Sequence, residues 1–156
     1  MRWLLVGFTH KELRDRNYKL DPNVVYVTLD RGDDTSVRRS DIDFNGDAFD
    51  IATWNRIMST FGPKSFDIIF TDGGMFGIKR DDNILKLKHL LLKDTGGVVN
   101  FTSPLGRMVR CPFGRPYQFS YIPKHNYTID KMDFALKNLR PDKLSNVLKS
   151  QLKIII

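Results

Sequence analysis

The chain has 156 residues, 41% of them apolar and 12% aromatic, which suits one domain with a single core and argues against disorder. Its one cysteine, Cys111, excludes an internal disulfide, and the first apolar run, Trp3–Val6, is too short for a signal peptide or a membrane helix. A soluble intracellular protein, cytoplasmic or nuclear and without membrane contact, is expected. The net charge of +7 is divided unevenly: residues 1–74 hold 10 Lys/Arg against 12 Asp/Glu, or −2, and residues 75–156 hold 15 against 6, or +9. Such asymmetry fits a basic surface that meets phosphates, or equally a solvated face that binds nothing specific.

In chain order, "WLLVGF" (residues 3–8) reads as a buried strand, and "HKELRDRNYKL" (10–20) is polar and helix-compatible. "VVYVTLD" (24–30) is a β-branched strand ending on an acid. A charged loop follows, then a weak strand in "DIDFNGD". In "AFDIATWNRIMSTFG", Ile51, Trp54, Ile57, Met58 and Phe61 recur at three-and-four spacing, which predicts a helix stopped by Gly62-Pro63. "SFDIIFTD" is the next strand. "NILKLKHLLLKD" (83–94) predicts a helix with Ile84, Leu87, Leu90 and Leu91 on one face, halted by Gly96-Gly97, and "GVVNFTS" a further strand. Strands alternating with helices predict an α/β fold, with a mostly parallel sheet and helices on both faces. Beyond Pro104, prolines and arginines interleave with aromatics in a long loop or edge hairpin. Residues 140–152 then read as a helix, and "KIII" as a last strand or an oligomer contact. No linker divides the chain, so residues 1–156 form one expected domain: a core over 3–104 and a basic C-terminal part over 105–156.

Three strand ends carry acids: Asp30, Asp47 in "NGDAFDI" and Asp72 in "FDIIFTDGG". In open α/β sheets ligands sit beyond the carboxyl ends of the strands. The order and spacing of these acids, with "LLLKDTGGVVNF" after them, resemble the class I S-adenosylmethionine-dependent methyltransferases, a Rossmann-like family, over roughly residues 3–104. The resemblance implies S-adenosylmethionine as cofactor. It places Asp30 on the ribose, Asp47 on the adenine with Ala48 and Phe49 beside the ring, and Gly7 near the methionine portion. A carboxylate suits the ribose because it accepts hydrogen bonds from hydroxyls. Each residue also has a plainer use, Asp30 in a turn with Gly32 and Asp47 as the N-cap of the following helix.

The sequence departs from the family in two places. Where a glycine-rich loop is usual, "GFTHKELRD" has Gly7 alone, with Phe8, Thr9 and His10 beside it; a narrower cofactor pocket, or none, is expected, with His10 lining it or lying on a surface turn. The "DGG" at 72–74 is nearest to the "DGAP" of RNA ribose 2′-O-methyltransferases, whose Lys-Asp-Lys-Glu set it matches only at Asp72, the candidate catalytic residue. Asn100, Thr102 and Ser103 stand where a lysine is expected, and Glu12 is the only glutamate. Methyl transfer from a sulfonium needs chiefly alignment, so a sparse site still permits it. Three readings stay open. The first is a methyltransferase on nucleic acid, single-stranded RNA favoured. The second is a catalytically silent relative serving as a nucleic-acid-binding or protein-interaction module, and the third is a small nucleotide-binding protein. Arg107, Arg110, Arg115 and Lys124, set among Phe113, Tyr117, Phe119 and Tyr121, are the candidate nucleic-acid contacts. Histidines 10, 89 and 125 lack metal-site spacing, so no metal is expected. A protein partner or self-association stays open.

Overall fold

The computed structural model describes residues 1–15, 20–33, 36–72, 81–102 and 118–126. Within them, strand β1 (Arg2–Val6) is followed by helix α1 (His10–Asp15) and β2 (Val25–Asp30). A 3-10 turn (Arg39–Asp41), β3 (Phe44–Asn45), α2 (Ile51–Phe61) and β4 (Phe66–Asp72) follow. Then come α3 (Asp82–Leu91), β5 (Leu92–Thr102), β6 (Gln118–Pro123) and a 3-10 turn (Lys124–Asn126). The strands form one sheet in the order β3-β2-β1-β4-β5-β6. The first five run parallel, and β6 lies antiparallel on β5. The chain steps one way from β1 to β3 and the other way from β4 to β5, so the direction reverses between β1 and β4. The expected α/β architecture is present, and residues 118–123, within the part read as a long loop or edge hairpin, form an edge strand.

Both faces of the sheet are buried, as parallel strands require. On one face Leu4, Val6, Val27, Leu29, Ile69 and Val98 join Trp54 and Ile57 of α2 and Ile84, Leu85 and Leu91 of α3 in one cluster. Full burial of each such side chain contributes roughly 1.5–3 kcal/mol. On the other face Trp3, Leu5, Ile68, Phe70 and Val99 are equally buried. The apolar stripe read from the sequence is what α2 turns inward. Gly62 ends that helix at φ 78°, its N–H on the Met58 carbonyl at 2.8 Å.

Helix α1 is described over residues 10–15, within the segment read as helix-compatible, and Leu13 is its buried residue; residues 16–19 lie outside the described residues. One element differs from expectation. Helix α3 ends at Leu91, three residues early, because Leu92 already pairs with Phe66. Between that rung and the next, Ile68 with Gly97, β5 bulges outward. Gly96 sits in the bulge, where a Cβ would lie 2.6 Å from the Asp67 carbonyl. The Gly-Gly pair therefore admits a strand irregularity and does not stop the helix.

Lys88 occupies an apolar position of α3. It is 4% exposed, with its ammonium 4.9 Å from the centre of the Trp54 ring. Burial drives its pKa from 10.5 down to about 7. The folded state therefore holds fewer protons than the unfolded state between those values, and stability rises with pH across that window. Lys88→Met is expected to remove this rise: urea unfolding from pH 7 to 10 should show wild type gaining on the variant, by up to ~1.4 kcal/mol per pH unit. Parallel pH profiles for the two proteins would contradict the assignment.

Candidate ligand site at the carboxyl ends of the strands

The register brings the candidate residues into one row. Val6 pairs with Leu29 on one side and Thr71 on the other, and Leu29 pairs with Phe44. One residue further along, Gly7 stands between Asp30, the last residue of β2, and Asp72, the last of β4. Gly7 has φ 85°, a conformation that favours glycine, and its N–H donates to the Leu29 carbonyl at 2.7 Å. Beyond β2, Asp30 pairs with Asn45, and its carbonyl accepts from the Gly46 N–H at 3.0 Å. Asp47 and Ala48 follow directly. The order in which strands are added reverses between the parallel β1 and β4, so Gly7 and Asp72 flank the point where open α/β sheets take ligands.

The two half-buried carboxylates are held alike. Oδ1 of Asp30 accepts from the Gly32 N–H at 2.7 Å, and Oδ1 of Asp47 accepts from the Phe49 N–H at 2.9 Å. Each is tied to backbone two residues ahead, a turn that Asp favours. The second oxygen of each acid has no hydrogen-bond partner among the described residues. The N-cap of α2 is Asp50, whose Oδ1 accepts from the Ala52 N–H at 3.0 Å, so the alternative use weighed for Asp47 falls to its neighbour. The Asp47–Phe49 loop is also held from outside. Trp54 Nε1 donates to the Ala48 carbonyl at 2.8 Å, and Arg56 Nη2 donates to the Asn45 carbonyl at 2.8 Å. Sequence reasoning used Trp54 as core only and passed over Arg56. No pattern marks such residues, since one helix turn brings a side chain back to the loop before it.

The bulky residues beside Gly7 have other partners. The Phe8 ring packs edge-on against Phe70, with centroids 5.5 Å apart. His10 Nε2 lies 2.7 Å from Asp43 Oδ2, which also accepts from the Thr28 N–H at 2.9 Å. Arg14 Nη2 donates to Asp41 Oδ1 at 2.6 Å, and this guanidinium holds the Asp41 carboxyl below the usual range. Helix α1 is thus fastened to the β2–β3 connection by two side-chain pairs. Lys124 Nζ donates to the Leu92 carbonyl at 2.7 Å and lies 3.3 Å from Asp94, so it braces the start of β5. Arg107, Arg110 and Arg115, and the Asp72 side chain, lie outside the described residues. No three His, Cys, Asp or Glu among the described residues gather to hold a metal ion, and no helix among them is long and apolar enough to cross a membrane.

The fold is that of S-adenosylmethionine-dependent methyltransferases. No protein-family model matches the chain, and no curated protein does. Among solved structures, it is similar to a SAM-dependent methyltransferase from Archaeoglobus fulgidus, with TM-score 0.50 and 10% identity, covering 97% of this chain and 76% of that one. It is also similar to the MycE methyltransferase of the mycinamycin biosynthetic pathway, solved with Mg and SAH, with TM-score 0.45 and 25% identity over 67% and 28% of the two chains. A third is an S-adenosyl-L-methionine methyltransferase from Silicibacter pomeroyi, with TM-score 0.44 and 14% identity over 64% and 63%. The chain spans less than two thirds of the length of the latter two. The first is a likeness of fold.

Removal of the cap separates the two neighbouring acids. Asp50→Ala is expected to cost about 1 kcal/mol by urea denaturation, as N-cap losses do, and Asp47→Ala distinctly less. Equal losses would mean that Asp47 shares the capping.

Proposed function

We propose that this chain is an S-adenosylmethionine-dependent methyltransferase-like protein that acts on nucleic acid, single-stranded RNA in particular. The observation that carries the reading is the row Asp72–Gly7–Asp30–Asp47, set along adjacent strand ends across the reversal point of the sheet. The residues present suit the cofactor. Among the described residues nothing bonds the second oxygen of Asp30 or of Asp47, which leaves each for a hydroxyl or amino donor, and Gly7 lets backbone approach closely. In this reading Asp30 takes the ribose, Asp47 the adenine amino group with Ala48 and Phe49 along the ring, and Gly7 the methionine end. The cofactor brings a methyl group already activated on sulfonium, so the chain's task is alignment. Asp72, beside Gly7, faces the acceptor as its orienting or proton-holding group.

The charge of +9 over residues 75–156 supports a nucleic-acid substrate. Arg107, Arg110 and Arg115 are the proposed phosphate contacts, while Lys124, also a candidate by sequence, has its ammonium engaged by the Leu92 carbonyl and Asp94. A second reading, a catalytically silent module on the same fold, is favoured by what stands next to Asp72: β5 sets Asn100 against Thr71 and Phe101 against Asp72, where the RNA ribose enzymes would supply a lysine.

Transfer of labelled methyl from S-adenosylmethionine to single-stranded RNA separates the readings. Wild type is expected to label RNA and Asp72→Ala to lose all but a trace while keeping its fold by circular dichroism; unlabelled RNA would favour the silent module, and equal labelling would remove Asp72 from the site. RNA affinity should fall with salt, and replacing Arg107, Arg110 and Arg115 by Ala should flatten the log–log slope by about 2, at roughly 0.7 per phosphate contact on a single strand. An unchanged slope would place the interface elsewhere.

A further inference from the structure

The residues that aim Asp30 form a small assembly of their own. Gly32 has φ 72° and closes the turn whose N–H holds Asp30 Oδ1. A Cβ on Gly32 would lie 2.6 Å from Asn45 Nδ2. That amide donates to the Arg31 carbonyl at 3.2 Å, and Asn45 is the residue paired with Asp30 across the strands. Arg56 secures Asn45 from behind through its carbonyl. The neighbouring cation is drawn aside, since Arg31 Nε lies 3.4 Å from Asp33 Oδ2. The Arg31–Gly32 peptide of this turn is therefore held at both its N–H and its carbonyl, and the second oxygen of the Asp30 carboxylate has no hydrogen-bond partner among the described residues.

Building on the cofactor reading above, we propose that Gly32 and Asn45 are positioning residues: they set the rotation of the Asp30 carboxylate so that its second oxygen meets the ribose hydroxyls of the bound nucleoside. The chemistry follows from the turn. A carboxylate on one χ2 bond rotates readily, and a rotated group loses the directed, charge-assisted bond that distinguishes a ribose from its deoxy forms. Alanine at 32 pushes out the Asn45 amide, frees the Arg31 carbonyl and strains a left-handed backbone, all without touching the ligand. Asn45→Ala breaks the same tie with no clash and no strain.

The test is calorimetric titration of the full chain with S-adenosylhomocysteine and with its 2′,3′-dideoxy counterpart. Wild type should prefer the hydroxylated ligand by about tenfold or more, the worth of a hydrogen bond to a charged group, and Asp30→Ala should erase the preference. Gly32→Ala is expected to weaken S-adenosylhomocysteine about tenfold and Asn45→Ala about threefold, each leaving the dideoxy ligand unchanged. A general disturbance of structure would weaken both ligands together. That result, or variants with the wild-type preference, would overturn the positioning role while leaving the cofactor reading intact. A wild-type protein that binds neither ligand would remove the cofactor reading, and this inference with it.

Discussion

Strand β1 is hydrogen-bonded on both edges and covered on both faces, with Trp3, Leu4 and Leu5 wholly inaccessible to water. Such a strand has no freedom to slip, because a shift of one residue would exchange its two buried faces and break two ladders at once. The register of β2 and β4 follows from it, and so does the position of Gly7 at the reversal point. Everything proposed for the site depends on this rigidity. The groups themselves lie in turns, where precision has to be inherited from the strands that feed them.

The turns add their own order through repeated use of one device, an acid tied by one oxygen to backbone two residues on. Asp30 and Asp47 fall close together at the ends of β2 and β3 because those strands are neighbours and Asp30 pairs with Asn45. The short β3 is reinforced from the side: Asp43 takes the Thr28 N–H that a longer strand would have bonded, and receives His10 as well. Exposed pairs of this kind contribute little stability each. Their effect is to locate α1, and with it the residues that follow Gly7.

The α/β class and the strand ends could be read from composition and alternation, since buried parallel strands are apolar runs and their termini are marked by Asp and Gly. The stripe Ile51, Trp54, Ile57 identified α2 correctly, because amphipathic spacing reflects a packing requirement. The end of α3 was misplaced because helix propensity runs unbroken through Leu91-Leu92-Lys93, and the pairing of Leu92 with Phe66, a tertiary effect, decides where it stops. The capping use weighed for Asp47 falls to Asp50 for a similar reason: both acids lie just before the helix, and only the local dihedrals and hydrogen bonds select one. Gly32 and Asn45 were invisible as a pair, because thirteen positions in the chain separate residues that touch only when β3 lies on β2.

The central claim is that a nucleoside-bearing cofactor lies along the ends of β1, β2 and β3. Amide resonances of the 15N-labelled protein, followed as S-adenosylhomocysteine is added, report on this most directly. The account predicts saturable shifts concentrated at Gly7, Asp30–Gly32 and Gly46–Phe49, with the far end of the sheet near Ser65 and Lys93 undisturbed. Saturating ligand that leaves those strand-end amides in place, or moves amides elsewhere instead, would contradict it.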